Sequence, residues 1–148
     1  MTAASPLAPN PVAVRLGYAG LIPFVGGALL VWLVREYPEQ HAFVTDALAK
    51  YAALVVAFLG ALHWGLGLKQ SVPSPAPFAW AVVPVLLAWI GALMPPYAGL
   101  VVLGVLLVVC YAVDRRAYRS HGLASWLTLR FRATVIASLS CFVAAALS

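Results

Sequence analysis

Phe58-Leu59-Gly60-Ala61-Leu62-His63-Trp64-Gly65 decides how the chain is read, because it sets one imidazole inside a long apolar run with no polar residue beside it. A run of about twenty such residues is the length of a membrane-crossing helix. A histidine inside one is costly unless it meets a polar partner or lines a water-filled cavity. The stretch therefore predicts a membrane span that carries a functional group, with the remaining sequence as its scaffold.

The composition agrees. Of 148 residues, 64% are hydrophobic and 9% are charged, against about 25% charged in soluble domains, and the mean hydropathy is +0.99. This is the make-up of an integral membrane protein with one bundle and no second domain. The formal net charge of +5 does not point to nucleic acid, since the bases flank apolar runs and form no soluble stripe. Arg15 is the first base, and no small-residue cleavage pattern follows the next apolar run, so the first span is expected to stay in place rather than act as a signal peptide.

Working outward from the central run gives an all-α integral membrane bundle of five transmembrane helices, at about 16–34, 47–68, 78–94, 97–113 and 131–147. A tail over residues 1–14, with Pro6, Pro9 and Pro11, is expected to be disordered. Pro23 frees the carbonyl of Ala19 and invites a kink in the first span. The proline-rich stretch 69–77 and the pair Pro95-Pro96 force the chain to turn, while 114–122 reads as a polar loop and about 123–130 as a short interfacial helix. Asp46 and Lys50 are spaced to pair across one helical turn. Rows of small residues every four positions, Ala49, Ala53, Ala57, Ala61 and Gly65 in the second span and Ala133, Ala137, Cys141 and Ala145 in the fifth, let another helix backbone approach closely. Cys110 and Cys141 fall at different depths, about 10 Å apart along the membrane normal, and are expected as packing residues, not as a disulfide.

Five spans place Arg15, Lys69, Arg115, Arg116, Arg119, Arg130 and Arg132 on one side of the bilayer and only Arg35 and Lys50 on the other. That imbalance puts the N-terminus inside and the C-terminus outside. The inner leaflet then holds His63, Tyr18, Trp64, Trp80 and Thr134, with Asp114 and Arg132 at its rim. The expected site is a pocket open to the inner side, in which His63 bonds a hydroxyl, a carbonyl freed by proline, or Asp114. The tryptophans and tyrosine also fit the ordinary aromatic belt of a membrane protein.

Metal and catalytic chemistry are poorly served. A carboxylate-bridged di-iron bundle needs several acids within the helices, and the chain has four Asp and Glu in all. A zinc site wants three or four ligands. One intramembrane histidine offers a single axial haem bond, so haem calls for a dimer or a partner other than histidine. Ser138 and Ser140 lie deeper than His63 and have no acid to orient a base. No enzyme is expected, and haem or a quinone remains only as a candidate occupant.

Gly20-Leu21-Ile22-Pro23-Phe24, the Phe58 to Gly65 stretch, Pro84 with Ala88-Trp89, and Trp126 with Leu129-Arg130 before Thr134 together resemble the domain-of-unknown-function 3429 family (transmembrane protein 69-like). The resemblance covers nearly all of the chain after the tail, and the His-Trp-Gly segment is its most specific part. It implies a bacterial inner-membrane protein with relatives in the mitochondrial inner membrane and no established biochemical activity. It also implies that Pro23, His63, Trp64 and Arg130 occupy characteristic positions. Ala61 departs from the pattern, where a second glycine after Gly60 is expected. The five-span plan is also similar in architecture alone to the tryptophan-rich sensory proteins, and architecture does not fix function.

Three readings compete. The first is a binding protein for a small apolar or amphipathic ligand, a quinone, porphyrin or lipid. The second is an accessory or assembly factor whose small-residue rows receive a membrane-protein partner or a second copy. The third is an oligomeric transporter, which the lack of an intramembrane carboxylate relay disfavours.

Overall fold

Asn10 starts the first helix: its side-chain oxygen accepts the Val12 N–H at 2.9 Å, and Pro11 takes the first helical position, where its missing amide is not needed. In the computed structural model, which describes residues 8–148, α1 spans Pro11–Ala19. Four residues of the stretch expected as a tail are therefore helical, because a capping residue stands directly before a proline. The rest of that expected tail, residues 1–7, lies outside the described residues.

At Gly20 and Leu21 the helix breaks before resuming as α2, Ile22–Leu33. Pro23 supplies no amide to the turn behind it, and the neighbouring Gly20 carbonyl takes the Tyr51 hydroxyl at 2.8 Å. Beyond α2 come α3 (Pro38–Leu68), α4 (Ala76–Leu93), α5 (Pro96–Ser120), a single 3-10 turn at Ala124–Trp126, and α6 (Leu127–Ala146). With α1 and α2 counted as one, five segments are long and apolar enough to cross a bilayer. The all-helical five-span bundle expected from the sequence is the architecture found.

The ends of the helices differ from expectation. With 31 residues, α3 is about 46 Å long, well beyond the roughly 30 Å hydrocarbon core. Pro38 starts it at the first helical position, and Glu39-Gln40-His41 extend it ahead of the span expected from about residue 47. Likewise α5 does not stop at Val113. The residues from Asp114 to Ser120 continue the helix, since none of them breaks it, and the stop comes at Gly122. There φ is +71°, the Leu123 N–H bonds the Tyr118 carbonyl at 2.7 Å and the Gly122 N–H points back to that of Arg119, a Schellman closure for which glycine is the natural residue. This tight turn leaves no room for a separate interfacial helix. The 3-10 turn leads straight into α6, and residues 127–132 are the opening of the fifth span.

Within the bundle α3 packs on α2, α4 and α5, and α6 packs on α5 and α2. The core between them includes Val56, Leu100, Leu103, Leu107 and Cys141, all buried. Cys110 is buried as well. Outward the bundle shows Leu54, Phe58, Leu86, Trp89, Ile90 and Val105, an apolar coat that needs lipid around it. At the far end from His63, the His41 ring nitrogen donates to the Leu147 carbonyl at 3.0 Å. Lys50 pairs with Asp46 one turn along α3.

The small-residue row of α3 divides. Ala49 and Ala53 are buried and Ala57 is half-buried, whereas Ala61 and Gly65 are exposed. In α6, Ala137 and Cys141 are buried against the core. The closest approach on α3 comes from Gly60, where an added Cβ would stand 3.0 Å from both the Ala81 carbonyl oxygen and the Pro84 ring. A branched side chain there must push α4 away. Gly60→Val should therefore cost about 1–3 kcal/mol in thermal unfolding of the detergent-solubilised protein. Gly65→Ala, whose Cβ meets nothing within 4 Å, should leave the midpoint unchanged or raise it.

Candidate functional site

His63 lies on the buried face of α3 between two glycines that admit α4 closely. Gly60 faces Pro84, and Gly67 faces Phe78 and Pro77. The spacing of three and four residues puts all three positions on one face. The imidazole is 4% exposed, and its Nε2 lies 2.6 Å from Asp114 Oδ1. A carboxylate only accepts, so Nε2 carries the hydrogen and donates it. The ring edge also faces Trp80, with centroids 6.3 Å apart.

Asp114 has a second partner. Its other oxygen accepts from the Arg130 guanidinium, and the carboxylate itself is 1% exposed. Three helices thus converge on one carboxylate: α3 through His63, α5 through Asp114 and α6 through Arg130. The Gly122 turn returns the chain so that Arg130 reaches back to Asp114 from sixteen residues on. A lone buried carboxylate would be untenable. With Arg130 it forms a neutral pair, and His63 satisfies the remaining oxygen.

One helical turn along, each partner has a neighbour on the same face. Tyr118, four residues after Asp114, is buried and within hydrogen-bonding reach of Arg130. Thr134, four residues after Arg130, is 5% exposed. Its hydroxyl has no partner, and neither does Arg130 Nε. The contrast along α6 is informative, since Ser138 and Ser140 both donate back to carbonyls one turn earlier, at 2.6 Å and 2.8 Å. That is the usual resort of a helical hydroxyl, and Thr134 does not take it.

The cluster separates two cavities. On the His63 side, a vestibule of about 670 Å³ is bordered by His63, Gln70, Arg116, Ser120 and His121 together with apolar residues such as Trp80 and Val113. On the Arg130 side, a largely apolar chamber of about 800 Å³ is bordered by α1, α3, α5 and α6 and holds Arg130, Thr134, Tyr118 and Trp126 in its wall. Leu16, Leu54 and Phe58 also line it and face outward, so the chamber opens sideways toward the acyl chains.

The residues singled out from sequence fall in several places. His63 and Asp114 meet directly, Trp80 lies beside His63, and Thr134 lines the chamber. Asp114 is no solvated helix end despite the flanking Arg115 and Arg116. Trp64 is 48% exposed and stacks edge-on with Phe78, centroids 5.0 Å apart. Tyr18 and Arg132 pair with each other at 3.5 Å near the surface. None of these last three lines either cavity. Sequence reasoning put Arg130 among the characteristic positions but not in the site, and it missed Tyr118 and Gln70. The signal was available in the four-residue steps from Asp114 to Tyr118 and from Arg130 to Thr134.

Among the described residues no group of three or more His, Cys, Asp or Glu could hold a metal ion. With Nε2 given to Asp114, an axial bond from His63 to a haem iron would fall to Nδ1. The energetics of the cluster follow from its burial. Asp114→Leu or Arg130→Met alone leaves the other charge buried without its partner and should cost about 3–5 kcal/mol of stability. The double variant should lose much less than the two singles combined, as measured by chemical denaturation in mild detergent.

The match to known proteins covers nearly the whole chain. Transmembrane protein 69 of Xenopus tropicalis is 41% identical over 91 residues, which are 58% of this chain and 34% of that protein. Transmembrane protein 69 of Mus musculus is 28% identical over 136 residues, 89% of this chain and 54% of that protein. The chain therefore spans between about a third and about half the length of these relatives. No solved structure matches. The family model described as "Protein of unknown function (DUF3429)" matches residues 9–146, and the chain, a multi-pass transmembrane protein, belongs to that family.

Proposed function

We propose that this protein binds a small amphipathic molecule of the membrane, with its apolar part in the lateral chamber and its polar end against the His63–Asp114–Arg130 cluster. One observation carries this reading. An apolar chamber of about 800 Å³ has in its wall two buried residues, Arg130 and Thr134, that each carry an unpartnered polar atom. Ligand sites are commonly concave, mostly apolar and supplied with a few convergent polar groups, in volumes of about 300–1,000 Å³. The role is binding rather than turnover, since the cluster holds no activated nucleophile. The excess of bases at the cluster's end of the bundle supports a site on the cytoplasmic side of a bacterial inner membrane.

A second reading has its own support in the exposed face of α3, where Ala61 and Gly65 meet no other helix. An accessory factor would receive a partner's helix there.

Native mass spectrometry of protein released from its own membranes should show a retained adduct in the small-molecule range. Ala133→Leu, which fills the chamber from α6, should abolish the adduct while the protein still folds. Wild-type protein that flies bare under conditions preserving bound lipid elsewhere would remove the ligand reading. Ala61→Leu should leave the adduct alone and, under the second reading, abolish co-purification of a partner.

A further inference from the structure

Charge at the cluster's end of the bundle is left unbalanced. Glu36, Glu39 and Asp46 belong to the opposite end, so Asp114 is the one acid available to Lys69, Arg115, Arg116, Arg119, Arg130 and Arg132. Both of its oxygens are taken, by His63 and by Arg130. Among the described residues Arg116 therefore has no carboxylate to pair with. It is also the one unmatched base in the wall of the vestibule beside His63, whereas Arg115 and Arg119 are exposed elsewhere on α5 and line neither cavity.

The vestibule is graded along its length. Ala112, Arg116 and Ser120, with Val113 and His121 beside them, follow the one-turn spacing of a single face of α5, apolar first and polar toward the helix end. On the facing helices Leu66 precedes Gln70 on α3, and Trp80 lies one turn beyond Ala76 on α4, so the depth is apolar and the rim polar there as well. The rim also holds Ser74, whose hydroxyl accepts from the Ala76 N–H at 3.4 Å and has no protein acceptor of its own. The first turn of α4, which starts without a side-chain cap, adds the positive end of a helix. An unmatched guanidinium and a free hydroxyl hydrogen call for an anion, and at the ends of the spans, the level of the head groups, the anion that the bilayer presents is a phosphate. We infer that the vestibule of about 670 Å³ binds a phosphate ester, its oxygens against Arg116 and Ser74 and its apolar part along Leu66, Trp80 and Val113. This site lies across the cluster from the lateral chamber and stands whether or not that chamber has an occupant.

Delipidated protein in mild detergent is titrated with phosphatidylglycerol and with phosphatidylcholine, bound lipid being read by native mass spectrometry, and separately with inorganic phosphate by calorimetry. Phosphatidylglycerol should bind saturably and more tightly than phosphatidylcholine, whose ammonium would face Arg116 with no acid to meet it. Arg116→Gln should weaken phosphatidylglycerol about tenfold, while Arg115→Gln, which removes the same charge outside the cavity, should leave it unchanged. Ala112→Phe crowds the apolar wall, keeps every base, and should also weaken the lipid. Arg116 and Ala112 are both exposed, so neither change should move the unfolding midpoint of the lipid-free protein. Inorganic phosphate bound with the same Arg116 dependence, by a protein that ignores both lipids, would keep the phosphate site and assign it a water-soluble ester. Equal losses from Arg115→Gln and Arg116→Gln would reduce the binding to general surface charge and overturn the inference. Equal affinity for the two lipids, or folded protein that binds neither lipid nor phosphate, would overturn it as well.

Discussion

A carboxylate that is 1% exposed inside an apolar bundle cannot stand alone, and the polar end of this protein is arranged around that requirement. Asp114 needs a cation and a second donor, and it obtains them from two other helices. The cost of removing a charge from water is of order several kcal/mol even after relaxation. The arrangement therefore fixes the rotation of α5 and the depth of α6, because a slip of one residue in either would withdraw Asp114 or Arg130 from the contact. The Gly122 turn sets the depth of α6. The two glycines around His63 let α4 close over α3.

Satisfying Asp114 this way has a spatial consequence. His63 approaches from one face and Arg130 from the other, so the cluster becomes a partition instead of the floor of one pocket. On one side stand polar and basic side chains near the helix ends, and on the other an apolar space open to lipid. Arg130 has more donors than the carboxylate can use. Arg130 is also among the residues that border the apolar space, so the cation that neutralises Asp114 stands between the cluster and that space.

Much of this was legible from the chain. The apolar runs, the prolines at 73–77 and at Pro95-Pro96, and the break near Pro23 follow from length, hydropathy and the geometry of proline, all of which act locally. The helix ends were less legible. Asp114 to Ser120 reads as a loop by polarity, but polarity does not stop a helix, and Gly122 does. The pairing of His63 with Asp114 was one of three partners that sequence left open. The missing information was rotational, since hydropathy alone does not say which face of α5 looks inward. Arg130 was counted among the flanking bases because most arginines near a span end reach for water or headgroups, and only the short turn before α6 forces this one inward. Trp64, Tyr18 and Arg132 were placed by depth, which fixes a level in the membrane but not a direction around the helix.

The strongest support for the proposed occupant comes from stability and not from shape. A buried polar group without a partner costs about 1–3 kcal/mol. A valine at position 134 would pack the same space with no such penalty, and a back-bond to the preceding turn, as at Ser138 and Ser140, would avoid it with no change of residue. Thr134 does neither, and Arg130 Nε, on the same face one turn away, is left open as well. Two buried polar groups without partners on one face of α6, in residues that border an apolar space open to lipid, are a cost the bundle carries on its own. Under the binding role proposed above, an occupant drawn from the bilayer would relieve that cost by bringing a lone pair to them.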